Sequence, residues 1–152
     1  MPKATDRLLL LDTHVWLWFA EGRGDRLGAR IPERLERAAA QGTLRISAIS
    51  LWELGMLIGK KRLTIADLPK WILESRRVPG IRIEPVDDAA ALESVALPEP
   101  LHGDPADRLM VATARALDAT LVTCDAELIA YGKRGHVRVL DARPAPRSHL
   151  PP

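Results

Sequence analysis

The segment LLLLDTHVWLWF, residues 8–19, sets one carboxylate in the middle of the chain's most apolar run. An ionised acid buried without a partner is too costly to keep, so the fold must bury the leucines and still give Asp12 a hydrogen-bond, charge or metal partner. The apolar residues ahead of the acid suit a short buried strand, 7–11. Those after it, 13–20, are of helical type. Asp12 therefore falls at the carboxyl edge of a strand.

The same alternation repeats along the chain. LRIS (44–47), IRIEPV (81–86), TLVTC (120–124) and HVRVL (136–140) read as further strands. Between them lie helical stretches: ERLERAAA after Pro32, ended by Gly42; Ser50 to Lys60; residues 67–77; residues 87–97. A helix over 104–119 opens with Asp104 as N-cap and Pro105 at the first helical position, and AELIAY is a short helix after TLVTC. This order predicts an α/β fold, a central and mostly parallel β-sheet flanked by helices on both faces. With 152 residues and 47% hydrophobic composition the chain suits one domain, expected over 1–141. The proline-rich ARPAPRSHLPP, 142–152, is expected to be a mobile tail.

Lys and Arg number 22 against 20 Asp and Glu, a net charge of +2 that permits a polyanionic partner without requiring one. The single cysteine, Cys124, excludes an internal disulfide and fits a reducing cytoplasm. Lys3 and Arg7 precede the first apolar run, but Asp12 and His14 interrupt it short of a secretory or membrane-spanning length, so no membrane association is expected.

In open α/β sheets the ligand crevice lies beyond the carboxyl ends of the strands, where Asp12 and Asp125 are both expected. Either alone can simply cap the next helix. Glu53 sits inside the apolar SLWELGML, where a solvated helix face is the plain alternative to a function. Asp104 and Asp107 are three apart and can point toward one side; Asp104 has the ready role of N-cap, and Asp107 that of an exposed ion pair with Arg108. Together the acids argue for more. Carboxylates converging at one sheet edge repel each other unless cations neutralise them, and hard oxygen donors suit Mg²⁺ or Mn²⁺, which also bind phosphate oxygens. The combination points to metal-assisted phosphoryl chemistry.

LLLLDTHVWLW, SAISLWELGML, HGDPADRLMVATA and LVTCDAEL, in this order and spacing, resemble the four acidic blocks of PIN-domain ribonucleases of the VapC toxin type, over about residues 7–140. The resemblance implies a parallel sheet flanked by helices, divalent-metal-dependent hydrolysis of RNA, and control by a small antitoxin protein. Asp12, Glu53, Asp107 and Asp125 match the metal-holding and catalytic acids. Thr123 matches a supporting hydroxyl position, and Asp104 is the alternative third acid. A homodimer is expected too, with an antitoxin whose C-terminal segment crosses the acidic site and offers it an arginine. The competing expectation is a catalytically silent scaffold of the same fold that binds an antitoxin or RNA.

Other residues have plainer readings. His14 suits a structural hydrogen bond, Trp16, Trp18, Trp52 and Trp71 suit core or dimer burial, and Cys124 a small buried side chain. Arg23, Arg26, Arg30, Arg34 and Arg37 form a basic zone that can meet phosphates, but Glu33 and Glu36 among them favour a salt-bridged solvated face. A phosphatase of the D-x-D-x-T pattern is excluded by His14 in the second acid's place. No G-x-G-x-x-G follows the first strand.

Overall fold

In a computed structural model the structure describes residues 7–77, 79–99, 101 and 103–146. The first strand, β1 (Leu9–Leu11), lies at the centre of a five-stranded sheet with β2 (Leu44–Ser47), β3 (Ile81–Glu84), β4 (Thr120–Thr123) and β5 (Arg138–Asp141). The order is β3-β2-β1-β4-β5, with every pair parallel. Helices α1 (Thr13–Ala20), α2 (Ile31–Ala40), α3 (Ala48–Gly59), α4 (Leu68–Arg76), α5 (Asp88–Val95), α6 (Pro105–Ala116) and α7 (Ala126–Lys133) form the connections. The expected α/β architecture is the observed one.

The leucine run explains the core. Successive strand side chains point to opposite faces, so Leu9 and Leu11 join one apolar cluster with Val15, Trp16, Leu35 and Ile46, while Leu10 joins the other with Met110, Leu121, Leu128 and Tyr131. A strand that feeds two cores must be apolar at every position, as buried parallel strands are. Trp16 is buried edge-to-face against Trp71, with ring centroids 5.1 Å apart.

Several element ends differ from expectation for local reasons. Ser47, the last residue of β2, caps α3 by accepting from the Ile49 N–H, so that helix begins at Ala48 rather than Ser50. β3 stops at Glu84 because Pro85 has no N–H for the ladder. α6 ends at Ala116, and Asp118 beyond it takes a left-handed φ of 52°. Trp52, read as a core or dimer-interface residue, is 53% exposed on α3 and so lies outside the core of the chain. Ala142 is buried, its N–H donating to the Thr123 carbonyl and its carbonyl accepting from Gly28. Residues 147–152 of the expected tail lie outside the described residues.

Candidate active site

The strand order creates the site. From β1 the chain crosses to β2 on one side, while β4 pairs on the other, so the direction of winding reverses between β1 and β4. At such a switch point the connections leave in opposite directions and open a crevice at the strands' carboxyl ends. Asp12 follows β1 there and Asp125 follows β4. The Asp12 N–H donates to the Val122 carbonyl at 2.9 Å, locking the first acid against the strand that carries the last.

Asp12, Glu53, Asp104, Asp107 and Asp125, with His14, Trp18 and Cys124, line one cavity of about 400 Å³. All the acids singled out in the sequence therefore meet, although they come from four separate segments. Capping and clustering coexist here. Asp12 caps α1 through Oδ1, which accepts from the Thr13 N–H at 2.8 Å. Asp125 caps α7 by accepting from Glu127 and Leu128, and Asp104 caps α6 by accepting from Ala106 and Asp107. Each cap uses Oδ1, and the helix N-termini that need caps are the same ones the sheet aims at the crevice.

Threonine hydroxyls hold two of the acids. Thr123 is buried in β4; its hydroxyl donates to Asp12 Oδ2 at 2.6 Å and accepts from the Asp125 N–H at 3.0 Å, tying the first acid to the last. The matching tie on the other side is Thr13, whose buried hydroxyl donates to Glu53 Oε1 at 2.6 Å and lies 2.8 Å from Ser50 Oγ. Neither Thr13 nor Ser50 stands out in the sequence. Thr13 sits 40 residues from Glu53, and only the packing of α1 on α3 reveals the pair.

The electrostatics are those of crowded anions. Burial pushes the Asp12 carboxyl upward, against the lowering hydrogen bonds from Thr123 and Thr13. Glu53 is also raised, by burial first, and further by the charges of Asp12 and Asp104. Asp107 is raised most, to about 8, by burial and then by the fields of Asp12, Asp104, Asp125 and Glu53. Burial and the neighbouring acids likewise push the Cys124 thiol up to about 11, which keeps it from acting as a thiolate nucleophile. His14 packs its ring 5.6 Å from Trp18 at the rim.

A divalent cation fits this chemistry. The donors are hard oxygens, and added positive charge would relieve the repulsion that lifts Asp107. Among the described residues no three such side chains close on a point to form a complete protein cage. Magnesium tolerates so open a site, because it keeps several waters and takes only one or two carboxylates directly.

Comparison with known proteins agrees with this geometry. The PIN domain family model matches residues 9–134. Ribonuclease VapC22 of Mycobacterium tuberculosis is 34% identical over 125 residues, covering 79% of this chain and 88% of that protein. Among solved structures, VapBC2 from Rickettsia felis bound to a DNA fragment from their promoter matches with a TM-score of 0.64 at 19% identity, over 89% of this chain and 98% of that one. FitAcB from Neisseria gonorrhoeae matches with a TM-score of 0.60 at 22% identity, over 88% and 97%. The solved structures share the fold; the family model spans most of the chain, from the central strand through the last capped helix, and the chain belongs to the PIN domain family.

Proposed function

We propose that this chain is a metal-dependent ribonuclease, the toxin of a toxin–antitoxin pair, in which Asp12, Glu53, Asp107 and Asp125, one or two of them directly and the others through the ion's waters, hold Mg²⁺ or Mn²⁺ against an RNA phosphodiester. The observation that carries it is the convergence of acids from four segments on one cleft at the switch point of the sheet. Similarity to a ribonuclease over 79% of the chain supports RNA as the substrate. When bound, the divalent ion supplies Lewis-acid charge to phosphate oxygens and acidifies water.

The chain's own residues prepare that chemistry. Thr123 and Thr13 fix one oxygen each of Asp12 and Glu53, so these acids are already oriented for an incoming cation. The N-termini of α1, α6 and α7 face the cleft, and their positive dipole ends favour both the carboxylates and an anionic substrate. In an in-line displacement, water oxygen bonds to phosphorus as the opposite P–O bond breaks, the water losing a proton and the leaving oxygen gaining one. Asp107, with its pKa raised to about 8, holds a proton at neutral pH until positive charge enters the cleft.

The partners follow from the same reading. A small antitoxin would cross the acidic cleft with a C-terminal segment that offers an arginine to the carboxylates, a bidentate match no lysine reproduces. A homodimer is proposed as well, with the exposed apolar side chains as candidates for its contacts. The reading is tested by incubating the purified protein with RNA and Mg²⁺ or Mn²⁺, with and without chelator. Metal-dependent cleavage is expected, and undiminished cleavage in chelator sinks the mechanism. RNA binding without cleavage under any divalent metal favours the silent scaffold. Light scattering at high concentration checks the dimer.

A further inference from the structure

The amino end of the sheet carries the opposite charge. Arg7, just ahead of β1, and Arg34, Arg37 and Gln41 of the α2 region line a cavity of about 250 Å³. Arg34, Arg37 and Gln41 follow a three- and four-residue spacing, so they form one stripe along α2. The sequence favours neutralisation of this zone by Glu33 and Glu36. Among the described residues, however, no ion pair joins Arg7, Arg34 or Arg37 to any acid. Asp118 feels the charge of Arg7, but its own carboxylate is bonded to Arg138. The Nε of Arg7 is buried and lacks a hydrogen-bond partner among the described residues. A helix C-terminus accounts for Arg37, which stands in the last turn of α2, but not for Arg7, which lies on another segment.

Three guanidiniums around one small cavity repel each other unless an anion joins them, and planar guanidinium forks match phosphate oxygens. A second, larger groove of about 800 Å³ shares Arg34 and passes Thr120, Arg138 and Leu140 to Asp141. Asp141 is paired in register with Thr123, the residue that holds Asp12. The groove thus follows the edge strand β5 from the arginines toward the acids, ends of the sheet roughly 16 Å apart along β1.

We propose that Arg7, Arg34 and Arg37, with the Gln41 amide, form an oxyanion site for a phosphate group, supplied by the backbone of an RNA whose other portion lies in the acidic cleft. The site itself stands on its own geometry; only the RNA as its source rests on the ribonuclease reading. It gives a substrate long enough to follow β5 a second hold, away from the bond that breaks.

The test uses the full chain in chelator, so that nothing is cut. Anisotropy of a labelled single-stranded RNA of about 20 nucleotides is followed over a salt titration, beside calorimetry with inorganic phosphate. Arg34→Gln with Arg37→Gln removes two exposed charges from the cavity, and Arg26→Gln with Arg30→Gln removes the same charge elsewhere. The cavity pair is expected to weaken RNA binding at least about tenfold and to flatten the salt slope by about 0.7 for each phosphate that the protein ceases to neutralise. The control pair should change both less, and phosphate should bind the native chain but not the cavity variant. Arg7→Gln should behave like the cavity pair, with thermal unfolding to verify its fold. Equal losses in the two pairs and no phosphate binding would overturn the site. Phosphate binding with unchanged RNA affinity would overturn RNA as its source and leave a site for a free phosphate compound. RNA binding that depends on these arginines, in a protein that never cuts RNA with Mg²⁺ or Mn²⁺, would instead sink the nuclease reading and spare the site.

Discussion

The two ends of the parallel sheet hold opposite charges in different ways. At the carboxyl end, acids are fixed by short bonds to threonine hydroxyls and helix N–H groups. At the amino end, Arg34 and Arg37 are exposed on long side chains, and Arg7 alone is partly enclosed. The polarity itself follows from the fold: βα units aim helix N-termini at one edge and C-termini at the other, so acids suit the first and Arg37, Arg115 and Lys133, in last helical turns, suit the second. On the proposed reading, the difference in rigidity is one of task. Chemistry at phosphorus needs donors held to within a fraction of an ångström, whereas holding a polyanion needs charge within reach.

The largest expected effect breaks the acidic end alone. Asp12→Asn keeps the side chain's shape and its cap but removes a charge from the cleft, and should lower RNA cleavage by orders of magnitude at saturating metal. Asp107→Asn should do the same and weaken metal binding. Arg34→Gln, at the other end, should raise the KM for RNA and leave kcat at saturating RNA unchanged. Initial rates for the three variants on one RNA, across a Mg²⁺ titration, measure the contrast; similar kcat losses in all three would erase the functional difference between the ends.

How far this contrast is legible in the sequence depends on the length scale of each interaction. The first strand, read over 7–11 and formed over Leu9–Leu11, the alternation of elements and the acids at 12, 53, 104, 107 and 125 are visible because apolar period and capping chemistry act over a few residues. Ser47 escapes because a strand's last residue doubles as a helix cap, which period alone cannot display. Thr13 with Glu53, and Thr123 with Asp12, are pairings across 40 and 111 residues. Family resemblance points to Thr123; nothing in the sequence marks Thr13. The arginine zone is visible but its pairing is not, because glutamates adjacent in sequence point around a helix and need not meet the arginine stripe.

A smaller effect is expected from the hydroxyls. Thr123→Val removes the bond to Asp12 Oδ2 and the acceptor for the Asp125 N–H while keeping the buried volume, and losing such support behind a metal ligand typically costs about 10–100-fold in metal affinity or activity. Thr13→Val should act similarly through Glu53. Cleavage rates at limiting and saturating Mn²⁺ separate a loss of metal affinity from a loss of rate. Unchanged values in both variants would mean that the acids need no fixed orientation.

Asp104→Asn should cost less still, because Asn caps a helix about as well as Asp and the Ala106 and Asp107 N–H groups keep their acceptor. Asp104 nevertheless lines the cleft, so its comparison with Asp107 decides which of the two is the third acid of the proposed metal site. A larger rate loss in Asp104→Asn than in Asp107→Asn would transfer that role to Asp104.

The smallest expected effect concerns stability, and it runs opposite to activity. Folding raises the Asp107 carboxyl from an ordinary 3.8 to about 8. Below about pH 4 both folded and unfolded chains hold this proton; as pH rises toward about 8 the unfolded chain releases it first, so stability falls across that window and levels off above it. Asp12 and Glu53 are shifted the same way and reinforce the trend. The surface carboxylates Asp25, Asp118 and Asp141 are lowered by paired arginines and act the other way, with stability lost as pH falls through their acidic range. Asp107→Asn is uncharged throughout, so in chelator it should melt a few degrees above the native chain at about pH 8 and with it at about pH 4. Mg²⁺ should then raise the melting temperature of the native chain more than that of the variant, because only the native chain gains relief at Asp107. Thermal unfolding of both proteins across pH, with and without metal, measures this, and superimposable curves would show that Asp107 bears no strain from its acidic neighbours.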